Sequence, residues 1–164
     1  MISNTMQDAI NSQINKELFS SYLYLSMSAH FDANGLSGFA QWLRLQADEE
    51  REHAMKFVEH LADRGGKVKL LAIAAPKTEW ASSLEAVQEV LAHEQMITAS
   101  IHSLYEAALV EKDYPAQVLL QWFINEQLEE EKNASDILEQ MKRIEAHDTA
   151  ILMLDHRLGK RSSN

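Results

Sequence analysis

The chain has 164 residues, a formal net charge of -10 and no cysteine. This length suits a single domain spanning 1–164, and the absence of cysteine excludes disulfides, thiolate zinc sites and cysteine nucleophiles. The acidic balance argues against binding to nucleic acid or anionic membranes and makes cations the more natural partners. No stretch has the pattern of an export signal or a membrane span, so we expect a cytoplasmic protein.

Helical periodicity divides the first part of the chain into two long segments. We expect the first helix to span about residues 5–32, with Asn4 as its N-cap and Gln7 as the reciprocal capping partner. The second helix is predicted over about residues 37–64, because the Gly-Gly pair that follows can end it in the left-handed conformation. At about 28 residues, each of these helices is roughly 40 Å long.

A linker follows over about residues 65–81 and is unusually long for a compact domain. Fully extended, it reaches up to about 55 Å, so it can run the whole length of a helix pair. The third helix is predicted to open at Ser82, which forms a capping box with Glu85, and to continue to about residue 112.

The fourth helix is predicted from the turn at 113–115 to about residue 145, with a proline in its first turn. A short apolar segment over about residues 149–158 is expected to form a fifth helix. The elements together predict an all-α protein. Its architecture is an antiparallel four-helix bundle with one long crossover between the second and third helices, plus a short C-terminal helix.

Each long helix carries acidic or other polar residues inside its apolar stripe. We call these residues the central polar set, which consists of Glu17, Glu50, His53, Glu94, Gln127 and Glu130. Within each hairpin, counting residues from the turn places its members at nearly the same depth. A lone stripe glutamate is usually a surface residue, but four helices that share this feature at matched depth favour one common site.

Converging carboxylates repel one another and stay partly protonated unless a cation neutralises them. Carboxylates combined with one imidazole suit iron(II) or manganese, and a glutamate that bridges two ions would let both occupy one small pocket. The pattern therefore predicts a metal site inside the bundle.

The motif set resembles the ferritin family, specifically the bacterial non-haem ferritins. The resemblance rests on a long crossover after the second helix and on Glu17, Glu50-x-x-His53, Glu94 and Gln127-x-x-Glu130, with one such motif on each long helix. It implies iron storage: a ferroxidase that oxidises Fe(II) with dioxygen or peroxide and deposits Fe(III) mineral inside a hollow homo-oligomer of twenty-four subunits.

The same resemblance implies two irons per subunit and assigns roles to individual residues. One iron would be held by Glu17, Glu50 and His53, and the other by Glu50, Glu94 and Glu130. Gln127 would hydrogen-bond within the metal site, and Tyr24 and Trp122 match aromatic positions near such centres. The residues expected to carry the oxidation are therefore Glu17, Tyr24, Glu50, His53, Glu94, Gln127 and Glu130.

A third iron position is implied beside the pair, formed by Glu49, Glu126 and Glu129 together with Glu130. The alternative is that the acidic run EQLEEE is a plain solvated helix face.

Departures from related families bear on the cofactors. Bacterioferritins and rubrerythrins have a second Glu-x-x-His on the fourth helix, whereas here Asn133 follows Glu130 by three positions. In bacterioferritins the haem-ligating methionine directly follows the second-helix glutamate, and here that position is Arg51, so no haem is expected. The histidines outside the motif, His93 among them, are expected mostly at the surface or at helix ends.

Two other interpretations are compatible with the sequence. The first is a ferritin-like di-iron oxygenase or peroxidase that works as a dimer, with a substrate cavity, more symmetric ligands and no mineral. The second is a metal-free helical bundle that acts as an interaction module, which requires the central polar set to point outward.

Overall fold

The structure is a computed structural model that describes residues 2–160. Five helices occur in that range: α1 (Asn4–Ala33), α2 (Ser37–Asp63), α3 (Ser83–Val110), α4 (Tyr114–Ile144) and α5 (Asp148–Leu158). Residue 1 and residues 161–164, which belong to the predicted single domain, lie outside the described residues. None of the described helices combines the length and apolar character that a bilayer crossing requires.

Neighbouring long helices pack antiparallel. Three-residue turns join α1 to α2 and α3 to α4. Contacts between the two hairpins show that their helices are also antiparallel, because residue numbers rise along one helix as they fall along the other. For α1 and α3 the contacts are Lys16 with Ser100 and Ser20 with His93. For α2 and α4 they are Gln46 with Glu130 and Phe57 with Phe123. Because α2 and α3 then run parallel, the chain must cross the bundle lengthwise between them. The predicted fold class is confirmed.

Two details of helix capping differ from the predictions. Ser3, not Asn4, is the N-cap of α1, and its Oγ accepts a hydrogen bond from the amide of Met6 at 3.2 Å. At α3, Ser82 is the N-cap as predicted, but the Glu85 carboxylate accepts from the residue before the cap rather than from the cap itself. Serine and asparagine are about equally good caps, so local preference did not separate Ser3 from Asn4.

The crossing segment, residues 64–82, lies along α1 and is held there by polar side chains. Gln7 Oε1 accepts from Lys67 N and Asn11 Oδ1 accepts from Lys69 N, both at 2.7 Å. Gln7 therefore anchors the crossing segment and is not the predicted capping partner. These side chains satisfy backbone groups that would otherwise have no partner in an extended segment.

The apolar core consists of two clusters that occupy different ends of the bundle. On α1, one cluster uses residues within 23–31, and the other uses residues within 6–14. The second cluster includes the stacked rings of Phe57 and Phe123, whose centroids lie 4.1 Å apart. Glu17 of α1 lies in the layer between the two clusters.

Helix α5 docks on the beginning of α2 at a very close approach. A Cβ added at Gly38 would lie 1.7 Å from the Asp155 carbonyl oxygen, so only glycine fits there. Asp155 Oδ1 accepts a hydrogen bond from Phe39 N at 2.9 Å. The N-cap of α2, Leu36, offers no side-chain acceptor, so α5 supplies the cap that α2 lacks.

Removing this cap should lower the stability of the folded chain. Asp155→Ala should cost about 1 kcal/mol because an amide of α2 loses its acceptor, and Gly38→Ala should cost about 1–3 kcal/mol because the added methyl displaces backbone. Asp155→Asn keeps an acceptor oxygen and is the matched control. Thermal unfolding followed by circular dichroism measures all three, and an Asp155→Ala variant that melts like the parent would contradict the role of the cap.

Candidate metal centre

The structure brings the whole central polar set into the layer between the two apolar clusters. All six side chains are buried, and Glu17, Glu50 and Glu94 are each only 1% exposed. This placement contradicts the interaction-module interpretation, which required these residues to point outward. Four helices therefore deliver charged or polar groups to one dehydrated region.

The closest group of potential ligands lies within the first hairpin. One ligand atom each of Glu17, Glu50 and His53 lies within 4.8 Å of the others, and His53 Nδ1 is 3.3 Å from Glu50 Oε2. Glu17 Oε2 and Glu50 Oε1 are buried and accept from no amide, hydroxyl or ring N–H in the described part of the chain, and the two carboxyl groups can hydrogen-bond to each other only when one of them holds a proton. Buried carboxylate oxygens without partners are costly, and a cation between them would satisfy both, so this donor set fits a metal ion.

The second hairpin contributes carboxylates that are already oriented by hydrogen bonds. The Tyr24 hydroxyl donates to Glu94 Oε1, and Gln127 Nε2 donates to Glu94 Oε2 at 3.1 Å. Glu130 Oε2 accepts from Gln46 Nε2 at 2.8 Å. Tyr24 and Gln127 thus contact the polar layer directly, and both act on the same carboxylate.

Burial dominates the electrostatics of this layer. It raises the pKa of Glu17 from 4.5 to about 7, against the opposing hydrogen bond from Gln13. It raises the pKa of Glu50 well above its usual value, and the neighbouring carboxylates raise it further. The pKa of Glu94 is also raised, again mainly by burial. Glu17 and Glu50 therefore tend to retain protons near neutral pH, which a bound cation would displace.

His53 is neutral in this environment. Burial, with a smaller contribution from Lys56, lowers the pKa of His53 to about 4. The ring therefore has an unprotonated nitrogen at neutral pH, which is the form of imidazole that binds metal ions.

Glu49 and Glu126, two of the four acidic residues of the predicted third position, line a more open side of the same layer, whereas Glu129 is exposed and Glu130 is buried. Glu126 Oε1 is 3.8 Å from His53 Nε2. Burial raises the pKa of Glu126, and the charges of Glu129 and Glu49 raise it further. A cleft of about 420 Å³ opens here, and its lining includes Glu49, His53, Lys56, Trp122 and Glu126.

Trp122 lies beside the polar layer, as the resemblance implied. Its ring stands edge-on to His53 with a centroid separation of 5.5 Å. The Lys56 ammonium lies 4.7 Å from the centre of the indole ring, a cation–π contact at the mouth of the cleft. The open side of the layer therefore carries a basic group as well as acidic ones.

Two supporting glutamines were missed by the sequence analysis. Gln13 Nε2 donates to Glu17 Oε1 at 2.8 Å, and Gln46 donates to Glu130. Each glutamine precedes a stripe glutamate by four residues and so shares its helix face. That spacing is the signal by which they could have been found.

His93 is the exception among the histidines outside the motif, most of which were expected at the surface or at helix ends. His93 is buried at 7% exposure, its Nε2 lies 2.7 Å from Ser20 Oγ, and its ring lies edge-on to Tyr24. Burial lowers the pKa of His93 to about 4, so the ring is neutral. Its hydrogen-bond partner is on another helix, which is why no pattern within α3 indicated this placement.

A layer of buried carboxylates with one neutral imidazole inside an antiparallel helical bundle defines a metal-binding bundle protein of the carboxylate type. The family model for the ferritin-like domain matches residues 7–144. The chain belongs to the ferritin family. Relatives include bacterial non-heme ferritins from Bacteroides fragilis (strain 638R), 41% identical over 161 residues, and from Staphylococcus aureus (strain USA300), 35% identical over 162 residues. The first alignment covers 98% of this chain and 100% of the Bacteroides protein. The second covers 99% of this chain and 98% of the Staphylococcus protein.

Solved ferritin structures from Archaeoglobus fulgidus have the same fold. An engineered closed form superposes with a TM-score of 0.98 at 46% identity and full coverage of both chains. The open-pore ferritin of that hyperthermophilic archaeon superposes with a TM-score of 0.97 at 46% identity, covering 99% of this chain and 100% of the other. The predicted likeness to bacterial non-haem ferritins is confirmed.

Titration of Glu17 should lower the stability of the metal-free protein as pH rises from about 4.5 to about 7, while the lowered pKa values of His53 and His93 contribute in the opposite direction. Because burial raises the pKa of Glu17 from 4.5 to about 7, the folded chain binds a proton in this range that the unfolded chain has released. The penalty is absent below the unfolded value and complete above the folded value. Glu17→Gln removes this titration, so in thermal melts of metal-stripped protein the stability of the variant relative to the parent should increase between about pH 5 and about pH 8.

Glu139→Gln is the control for this experiment. Glu139 is exposed, and its hydrogen bond with Lys142 lowers its pKa, so its replacement should leave the pH dependence of stability above about pH 5 nearly unchanged. Equal slopes for the parent and Glu17→Gln would contradict a protonated, buried Glu17.

Proposed function

We propose that this protein stores iron as a hollow homo-oligomer of twenty-four subunits, oxidising Fe(II) at the central polar layer and depositing Fe(III) mineral inside. Membership of the ferritin family supports iron storage. The observation that carries the metal centre is the pair of buried, unpartnered oxygens on Glu17 and Glu50. Iron is the substrate and cargo of this centre.

The geometry supports distinct roles for the two halves of the layer. Glu17, Glu50 and His53 would bind one Fe(II), since their ligand atoms already cluster within 4.8 Å. Glu50, Glu94 and Glu130 would bind the second, with Glu50 shared between both ions. Gln127 would orient Glu94 through the hydrogen bond that its amide donates to Glu94 Oε2.

Two adjacent ions suit the chemistry of the oxidant. Each Fe(II) gives up one electron, and dioxygen takes up both electrons and two protons to leave as hydrogen peroxide. When peroxide is the oxidant, the same two electrons and two protons yield two waters. Carboxylate oxygens favour the Fe(III) product because they are hard, negatively charged ligands.

Tyr24 contributes through its hydroxyl. Burial and the surrounding carboxylates raise the pKa of Tyr24 well above its usual value, so the hydroxyl stays protonated and remains a donor to Glu94. It thereby fixes one oxygen of a ligand to the second iron.

We assign the third iron position to Glu49, Glu126 and Glu129 with Glu130, beside the cleft. The partial burial of Glu126, with the charges of Glu129 and Glu49 acting on it, supports this assignment over a plain solvated face. Titration with Co(II), a redox-stable substitute, should give three ions per chain in the parent and two after Glu49, Glu126 and Glu129 are changed to Ala. Equal stoichiometry in both proteins would return these residues to the solvated-face interpretation.

The remaining properties follow from the proposed cage. The charge of -10 on each chain would draw cations toward the shell. We propose that the protein works in the cytoplasm, that its partners are further copies of itself, Fe(II) and dioxygen or peroxide, and that it uses no haem. Neither nucleic acid nor membrane is expected as a partner.

The decisive experiment is Glu50→Ala, because this residue alone would contact both irons. The variant should assemble into the same particle of twenty-four chains, as measured by sedimentation. Its rate of initial Fe(II) oxidation should fall by about 100-fold or more. His53→Ala should slow it by about tenfold, since only one position loses its nitrogen ligand. Stopped-flow absorbance of Fe(III) measures both rates.

Glu59→Ala is the matched control, as Glu59 is an exposed glutamate on the same helix. It should oxidise iron at the parent rate. A parent that sediments as a dimer would favour the di-iron oxygenase or peroxidase, and undiminished oxidation by Glu50→Ala would refute the proposed centre.

A further inference from the structure

A chain of hydrogen bonds leads from the surface of the bundle to Glu17. Lys16 Nζ donates to Ser100 Oγ at 2.6 Å, and Ser100 Oγ donates to Gln13 Oε1 at 2.6 Å. Gln13 Nε2 then donates to Glu17 Oε1 at 2.8 Å. Gln13 is only 2% exposed, so its amide has no access to bulk water as an alternative partner.

The direction of this chain is fixed at its outer end. A lysine ammonium can only donate, so Ser100 must accept from Lys16 and pass its own hydrogen to Gln13. The glutamine oxygen is thereby engaged, and its NH₂ group must face Glu17. As a result, Glu17 Oε1 is the acceptor that ends the chain.

The consequence for Glu17 is that its two oxygens are no longer equivalent. Oε1 accepts from the amide of Gln13, whereas Oε2 is buried, accepts from no amide or hydroxyl in the described residues, and belongs to the carboxylate that faces Glu50 and His53. A hydrogen bond takes up one lone pair of Oε1 and draws electron density from it, which favours Oε2 as the oxygen offered to a metal ion. The ion then keeps a coordination position open that a chelating carboxylate would fill.

We propose that Gln13 is a positioning residue that makes Glu17 a single-oxygen ligand, and that Ser100 and Lys16 set the orientation of its amide. The inference rests on the proposed metal centre and adds to it three residues outside the central polar set. Gln46 has the corresponding position on α2, one turn before Glu50, and its amide occupies Glu130 Oε2 from the other hairpin.

This arrangement matters because the ligands must be ready before the metal arrives. A carboxylate that is free to rotate can chelate one ion or bridge two, and each mode gives a different coordination number. Fixing one oxygen in advance selects a single mode, and such supporting hydrogen bonds typically change metal affinity by about 10–100-fold.

The test uses the full chain and Co(II) as the probe. Gln13→Met removes the amide at nearly constant volume and should weaken Co(II) binding by about tenfold. It should also lower the intensity of the visible Co(II) absorption, because a chelating Glu17 would raise the coordination number. Ser100→Ala leaves Gln13 in place but frees its amide, and should weaken binding by about fivefold.

Two control variants separate this role from general destabilisation. Ser103→Ala removes a hydroxyl from the exposed side of the same helix, where it donates only to a carbonyl of its own helix, and should match the parent. Ser100→Thr keeps the hydroxyl and should restore both affinity and spectrum. If Gln13→Met does not assemble, Ser100→Ala and Ser100→Thr give the same comparison from a partly exposed position.

The outcomes are distinguishable. Weaker binding together with a changed spectrum in Gln13→Met and Ser100→Ala, but not in Ser103→Ala, supports the inference. Parent-like affinity and spectrum in both variants overturn it while leaving the metal centre intact. A parent that binds no Co(II) at the Glu17 position removes the proposed centre and this inference together.

Discussion

Four carboxyl groups withdrawn from water in one layer are the constraint around which this bundle is arranged. Each buried charge carries a penalty of several kcal/mol unless it is paired or protonated. The two apolar clusters on either side supply the stability that offsets this penalty, and they also exclude water from the layer. Hydrogen bonds from Tyr24, Gln13 and Gln46 satisfy some of the oxygens. One oxygen of Glu17 and one of Glu50 receive no such hydrogen bond, and a bound cation would satisfy both.

Much of this layer could be predicted from the sequence because helical periodicity is a local property. The period of 3.6 residues places Glu17 and Glu50 on inward stripes whatever the neighbouring helices do. Counting from the turn also gives the relative depth within a hairpin. The offset between the hairpins could not be obtained this way, because it depends on the path of the crossing segment. Contacts such as Gln46 with Glu130 and Ser20 with His93 follow from that offset alone.

The errors in capping have a different origin. Ser3 and Asn4 are adjacent and chemically similar, so the outcome depends on small differences in backbone geometry. Gln7 has the right spacing for a capping partner, but the crossing segment offers it an amide of Lys67 instead. For Gln7, a local rule was overridden by a contact with a distant segment, which one chain segment cannot reveal by itself.

The two three-residue turns and the 19-residue crossing between them also bear on how the chain folds. Each hairpin can form from contacts close in sequence, whereas docking the hairpins must close the longer loop and dehydrate the carboxylates together. Docking is therefore expected to be the slow step, and it should quicken wherever protons or a divalent cation neutralise the layer. A divalent cation that binds in the layer would then speed folding as well as stabilise the folded chain, which refolding rates with and without Zn(II) would reveal.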